Sequence, residues 1–99
     1  MERPVEFDLI ARQMHADFLE VNAGLTMRQM AVVLCRGVRT AEQRRIAAAH
    51  IATLLSSGLS DAELADMWAA TPADCLVKKE HIRAMLVAIE HELSEAGAG

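Results

Sequence analysis

Apolar residues recur three and four positions apart along most of the chain, which is the spacing of one face of an α-helix. The first such stripe follows Pro4, a residue that suits the first turn of a helix. It consists of Phe7, Ile10, Ala11, Met14, Phe18 and Val21. Leu9 and Leu19 lie off this stripe, so the helix is apolar on more than one side. The pattern predicts a leading helix that either is well buried in its own domain or also packs against a partner.

A second pattern is a helix start that appears twice. Gly24-Leu25-Thr26-Met27-Arg28-Gln29 is followed thirty-four positions later by Gly58-Leu59-Ser60-Asp61-Ala62-Glu63. In each copy a glycine ends one helix, a hydroxyl residue caps the next, and Gln or Glu three residues on completes a capping box. Thr40-Ala41-Glu42-Gln43 is a third start of this type. The period equals that of the tetratricopeptide repeat, but the consensus residues of that repeat are missing, so two similar helical hairpins are predicted.

These starts divide the rest of the chain into four helices. They are predicted over about 27–36, from Thr40 to the end at 56–58, over about 61–70, and from either Thr71-Pro72 or Val77 onward. A strand is the alternative for Val32–Leu34, because two of its residues are β-branched. The last helix has an apolar stripe of Ile82, Met85, Leu86, Ile89 and Leu93.

The predicted fold class is therefore all-α: a five-helix compact domain made of a leading helix plus two helical hairpins. We expect one domain over residues 1–95 and a frayed C-terminal tail over 96–99.

Composition adds an expectation about assembly and location. Apolar residues make up 53% of the chain, but only three residues are aromatic, and the mean hydropathy is positive. Part of the apolar surface is therefore expected to be covered by a second copy, in a homodimer that uses the first helix, the last helix or both. The longest apolar run, Met30–Cys35, is too short to cross a membrane. With no secretion signal visible, we expect a cytoplasmic protein with reduced Cys35 and Cys75, a single disulfide remaining possible if the chain is exported by another route.

Charge is distributed unevenly along the sequence. The chain has a net charge of −4, which argues against non-specific coating of nucleic acid. Residues 21–60, however, hold five arginines and one glutamate, whereas residues 61–75 hold four acidic groups and no basic one. The basic middle of the chain leaves a local nucleic-acid-binding patch open.

Catalytic and metal-binding motifs are not apparent in the sequence. It contains no glycine-rich phosphate loop and no serine elbow. Cys35, beside Arg36, is interpreted as a buried small apolar residue, and His50 as a partly buried, hydrogen-bonded one. His81 and His91 are ten residues apart, on different helix faces, which does not suit a zinc site. We therefore predict no enzyme activity, no catalytic residue, no metal and no cofactor.

Two candidate nucleic-acid-binding groups lie at helix starts, where a helix-turn-helix would bring cations to the phosphates. The first group is Arg36, Arg39, Thr40, Arg44 and Arg45. The second group is Lys78, Lys79 and Arg83. The expected mechanism is electrostatic docking of the arginine cluster on phosphates, with one hairpin placing a helix in the major groove.

The segment Leu25-Thr26-Met27-Arg28-Gln29-Met30-Ala31-Val32-Val33-Leu34 resembles the one that leads into the winged helix of multiple-antibiotic-resistance-type repressors. The resemblance implies a dimeric transcription regulator in which such a segment precedes the DNA-reading helix and terminal helices dimerise. It covers ten residues, and no base-reading residue is transferred from it.

Protein recognition is the alternative function. Asp61, Glu63, Asp66 and Asp74 form an acidic patch that fits a protein partner better than it fits DNA. The sequence thus predicts a small DNA-binding regulator, with a non-enzymatic adaptor or inhibitor that recognises a partner through charged faces as the second hypothesis.

Overall fold

The computed structural model describes residues 3–98, which form helices joined by turns and contain no strand. The helices are α1 (Val5–Ala11), α2 (Phe18–Val21), α3 (Met27–Leu34), α4 (Ala41–Ser56), α5 (Asp61–Ala69) and α6 (Lys79–Ala98), with a 3₁₀ turn at Cys35–Gly37. Because α2 is a single turn, the all-α prediction of five helices is confirmed. The side chains of Leu19 and residues 96–98 lie outside the described part, as does Gly99. The expectations for Leu19 and for a frayed tail over 96–99 therefore stay predictions.

Three helix starts carry the capping boxes that the sequence predicts. Thr26, Thr40 and Ser60 each accept a hydrogen bond at 3.1 Å from the backbone N–H three residues later. The Gln or Glu at that later position accepts in return from the backbone N–H of the cap. Because α3 includes Val32–Leu34, the alternative strand prediction for that segment is wrong.

The predicted leading helix is interrupted by residues 12–17, which corrects the expectation of one continuous element. The Met14 carbonyl accepts a hydrogen bond from the Asp74 backbone N–H at 2.9 Å. The His15 carbonyl accepts one from the Cys75 thiol at 2.8 Å. These donors come from a distant loop and satisfy carbonyls that would otherwise bond within a helix. The break therefore depends on tertiary contacts.

The central element is α6, and the other helices are arranged around it. α3, α4 and α5 pack against α6, whereas α1 packs against α4 and the 3₁₀ turn. Since α6 begins at Lys79, the predicted start near Val77 is the better one, and the start at Thr71-Pro72 is wrong. The hairpin arrangement is confirmed for α5 and α6, which pack together. α3 and α4, by contrast, are linked mainly through their shared contact with α6.

The core is one cluster of buried apolar side chains, of which Trp68 is the largest. The Trp68 ring meets the Phe7 ring edge to face at 5.9 Å, and its Nε1 donates to the Cys75 carbonyl at 3.2 Å. All five stripe residues of α6 are buried, as predicted. Val21 is 70% exposed, so its assignment to the leading stripe is wrong. The break at residues 12–17 removes it from the helical phase of α1.

Candidate nucleic-acid interface

The first predicted basic group surrounds the connection between α3 and α4. We call it the α3–α4 corner, defined as Arg36, Arg39, Thr40, Arg44 and Arg45. Arg36 lies in the 3₁₀ turn and Arg39 in the link that follows, and both are exposed. Neither takes part in the ion pairs found within residues 3–98. The corner therefore has two exposed guanidinium groups, three positions apart in the chain, that have no carboxylate partner among the described residues.

Gly37 holds this corner against α1. A Cβ at position 37 would lie 2.2 Å from the Leu9 carbonyl oxygen. Only glycine allows the 3₁₀ turn to approach the α1 backbone this closely. The location of Arg36 and Arg39 is therefore determined by a backbone contact between two distant segments.

Thr40 has a structural role in the corner. Its hydroxyl accepts from the Gln43 backbone N–H, and the Gln43 side chain accepts from the backbone N–H of Arg39 at 2.8 Å. The same side-chain oxygen accepts from the Thr40 N–H at 3.3 Å. Thr40 therefore begins α4 and fixes the backbone that carries Arg39.

Arg44 and Arg45 are neighbours in sequence but have different environments. Arg45 is exposed and forms an ion pair with Glu42 at 2.6 Å. Arg44 is half-buried, and its Nη1 is buried without a hydrogen-bond partner. Of the predicted corner residues, Arg44 is thus the one least available to an external phosphate. Cys35, which precedes Arg36, has its Sγ 3.9 Å from the Ile89 carbonyl, so the corner lies beside the C-terminal half of α6.

The two cysteines are free thiols in separate places. Cys35 is 1% exposed, and burial raises the pKa of its thiol to about 12, although Arg44 opposes the shift. The thiol is therefore protonated at neutral pH, which suits the predicted role of a small apolar residue. Cys75 donates to the carbonyls of His15 and Ala16, in the break between α1 and α2.

The second predicted basic group lies at the opposite end of α6. Lys78 and Lys79 are exposed. Arg83 is engaged, because its Nε donates to the Asp61 carboxylate and its Nη2 to the Leu59 carbonyl, each at 2.8 Å. From Lys79 to Glu92, beside the corner, α6 rises by ~20 Å. The two basic groups therefore do not form one continuous patch.

The predicted acidic patch is also divided by its contacts. Asp61 pairs with Arg83, so residues assigned to two competing functions neutralise one another. Glu63 accepts from the Ser60 N–H at 3.0 Å, and its hydrogen bonds to Ser60 lower the pKa of its carboxyl. Asp66 and Asp74 are exposed, and no ion pair within residues 3–98 includes either. These two carboxylates are the part of the patch most available to a partner.

His50 is half-buried, as predicted, and its ring meets Phe7 edge to face at 5.1 Å. Its Nε2 is buried and has no hydrogen-bond partner among residues 3–98, so the expected hydrogen bond is not found for that nitrogen in this part of the chain. Burial lowers the pKa of His50, and the nearby Arg3 lowers it further. Within residues 3–98, no cluster of three or more His, Cys, Asp or Glu side chains is arranged to hold a metal ion.

A cleft lined by methionines is the feature that sequence reasoning missed. It lies between α3, the start of α6 and the two loops that precede these helices, with a volume of about 620 Å³. Its lining is Met14, Ala23, Leu25, Met27, Met30, Leu76, Val77, Lys78, His81 and Met85. The six methionines of a short chain were a sequence signal, but their convergence required the fold.

No family model, curated protein or solved structure matches this chain. The resemblance of residues 25–34 to multiple-antibiotic-resistance-type repressors therefore stays a prediction. Among the helices of residues 3–98, none has the length and apolar character needed to span a bilayer.

Proposed function

We propose that this protein is a dimeric DNA-binding regulator that docks on the phosphate backbone through the α3–α4 corner. The observation that supports it is the exposure of Arg36 and Arg39 without carboxylate partners on a link held by Gly37. Arginine binds phosphate in a bidentate manner, and its planar guanidinium loses less entropy per hydrogen bond formed than the ammonium of lysine does. Arg45 extends the surface, because a solvent-exposed ion pair such as Arg45–Glu42 adds little to stability and exchanges readily for a phosphate.

In this proposal phosphate contacts dominate, and base reading contributes little. The exposed positions in the first half of α4 are Ala41, Glu42 and Arg45. Only Arg45 among them carries a donor suited to a guanine edge. The predicted insertion of a helix in the major groove would therefore supply little sequence discrimination, and we expect similar affinity for duplexes of different sequence.

The proposed dimer uses the exposed face of α6. Met27, Ala84, Val87 and Ala88 line an open apolar groove there, and Val87 is 51% exposed. A second copy lying antiparallel on this face would place its Val87 opposite Ala84. The same register brings the Glu80 carboxylate opposite the imidazole of the second copy's His91 on both sides of the apolar centre.

The dimer is tested by sedimentation of Val87→Glu against the wild type. Val87 is exposed, so the substitution is expected to leave the fold intact while placing two carboxylates in the interface. We expect a dimer for the wild type and a monomer for the variant. A wild type that stays monomeric at high micromolar concentration would remove the dimer from the proposal.

DNA docking is tested by fluorescence anisotropy with a labelled random duplex at several salt concentrations. Each phosphate contact contributes ~0.9 to the slope of log affinity against log salt. The double variant Arg36→Gln/Arg39→Gln is expected to reduce that slope by about two. Its matched control is Lys78→Gln/Lys79→Gln, which removes the same charge at the opposite end of α6 and should leave the slope nearly unchanged.

Three outcomes would contradict the docking proposal. They are no binding even at low salt, an unchanged slope in the arginine variant, and equal losses in both double variants. The last result would mean that overall charge, and not the α3–α4 corner, governs binding.

The alternative function, an adaptor or inhibitor, has one observation in its favour. Asp66 and Asp74 stay exposed and without cationic partners among the described residues, and Leu76, 73% exposed, lies close to Asp74 in the chain. The variant that tests this function is therefore Asp66→Lys/Asp74→Lys, in which Asp61 is unchanged and keeps its ion pair with Arg83. Loss of capture of a defined protein partner by this double variant, with capture retained by Glu42→Lys at the other end of the molecule, would favour this function over DNA docking.

A further inference from the structure

The cleft lined by methionines has the size and composition of a small-molecule site. Its volume of about 620 Å³ lies within the range of ~300–1,000 Å³ that is usual for ligand pockets. Met27, Met30 and Leu25 are only half-buried, and Leu76 at the rim is 73% exposed. Apolar surface is thus available to a ligand in a chain whose main core is already complete.

The lining is suited to an aliphatic chain more than to a flat ring. Four of the lining residues are methionines, whose unbranched thioethers adapt to a flexible guest. Among the described residues, no Phe, Tyr or Trp lines the cleft, and the one ring beside it belongs to the exposed His81, so a planar ring among the methionines would find no stacking partner. Leu25, Leu76 and Val77 complete a wall that offers dispersion contacts without hydrogen bonds from side chains.

The rim is suited to an anion. Among the described residues that line the cleft, Lys78 and His81 are the only ionisable ones, and none is acidic. Both are exposed, and the ion pairs of residues 3–98 include neither of them. A carboxylate at this rim would gain a charge-assisted hydrogen bond from the Lys78 ammonium without displacing an existing partner.

We propose that this cleft binds a free alkyl carboxylate, with the chain among the methionines and the carboxylate at Lys78 and His81. The inference does not depend on DNA docking, because the cleft lies at the end of α6 opposite the α3–α4 corner. Binding at either place can therefore be lost without loss at the other.

The test is calorimetric titration of the full-length protein with octanoate and decanoate, each kept below its micelle concentration. Because each buried methylene contributes ~0.8 kcal/mol, two more methylenes should tighten binding by about tenfold. Decanol and decyltrimethylammonium serve as probes of equal chain length without the anion, and both should bind at least about tenfold more weakly than decanoate.

Variants locate the site. Lys78→Gln is expected to weaken decanoate by about tenfold and to leave decanol binding unchanged. Lys79→Gln is the matched control, since it removes the same charge from an exposed neighbour that does not line the cleft. In methyl-labelled protein, decanoate should shift the signals of Met14, Met27, Met30 and Met85, while Met67, which lines a different cavity, stays unchanged.

Any of four results would overturn the proposal. No saturable binding of decanoate, equal affinity for decanol, and equal losses in Lys78→Gln and Lys79→Gln each contradict the assigned chemistry. The fourth is binding to vesicles that contain anionic phospholipid without binding to monomeric decanoate, which would make the ligand a membrane surface instead of a free carboxylate.

Discussion

The regions near the two ends of α6 both have a basic helix start in the sequence, but they form different surfaces. Beside the C-terminal half of α6, the α3–α4 corner presents Arg36 and Arg39 to solvent on a rigid link. At the N-terminal end, Arg83 is bound to Asp61, and Lys78 lies at the rim of an apolar cleft. The first environment suits the repeated phosphates of a polymer, whereas the second suits one anionic group attached to an aliphatic chain.

A basic pair at a helix start is therefore not a functional signal by itself. In the pair Arg44-Arg45 one side chain is half-buried, and the other is matched by a glutamate. In the pair Lys78-Lys79 only the first residue lines the cleft. What each cation can bind depends on its neighbours from other helices.

The largest effect is expected from Gly37→Ala, which separates the corner from α1. The new Cβ would collide with the Leu9 carbonyl, a backbone atom that cannot rotate away. Overpacking of this kind costs about 1–3 kcal/mol or more. Urea denaturation should show that loss. If the variant stays folded, DNA affinity should fall while decanoate affinity is unchanged.

Gly24→Ala is the control for that substitution. A Cβ at position 24 meets no atom within 4 Å, and the backbone does not have a positive φ there. We expect a stability change within ~0.5 kcal/mol of zero. Equal destabilisation by both substitutions would show that the contact between the 3₁₀ turn and α1 is not what anchors the corner.

A smaller effect, about 1 kcal/mol each, is expected when the caps at the two ends are removed by Thr40→Ala and Ser60→Ala. The aspartate variants separate the effect of charge from the loss of the cap, since Asp caps a helix as well as Thr or Ser does. Thr40→Asp should preserve thermal stability but weaken DNA binding, because it adds a negative charge to the corner. Ser60→Asp should preserve both thermal stability and DNA binding. If Thr40→Asp and Ser60→Asp weakened DNA binding equally, the result would count against a localised docking surface.

A third prediction concerns the pair Arg83–Asp61 at the cleft end. Both side chains are partly exposed, so a double-mutant cycle with Arg83→Met and Asp61→Asn should give a coupling energy below about 1 kcal/mol. The coupling should decrease as salt is added. If DNA affinity fell as much in Arg83→Met as in Arg36→Gln, the structural role assigned to Arg83 would be wrong.

The weakest effect that we expect is the contribution of His50 to the pH dependence of the free energy of unfolding. Because burial lowers its pKa in the folded protein, the unfolded state takes up a proton more readily there. This contribution to stability is complete above the ordinary histidine pKa of about 6.5 and is lost as the pH falls below it. The midpoint of urea unfolding should therefore fall more between pH 7.5 and 5.5 in the wild type than in His50→Gln. If the urea midpoint fell equally in the two proteins, the pH dependence would not come from the lowered pKa of His50.

Local chemistry made much of the fold predictable. The capping boxes at Thr26, Thr40 and Ser60 depend on residues three positions apart, so the sequence alone located three helix starts. The stripe from Ile82 to Leu93 likewise identified the buried face of α6, since its periodicity reflects a single helix. The candidate site was predictable only as a set of cations, without their partners.

Interactions between residues close together in the chain are enough to predict that it forms helices, where three of them begin and which face of α6 is buried. Contacts between distant segments are needed to break the leading helix at residues 12–17, to pair Arg83 with Asp61 and to bring four methionines to one cleft. The two groups of features differ in the range of the interactions that produce them. Caps and helical stripes involve neighbours within a turn or two, whereas these contacts join residues that are far apart in the chain.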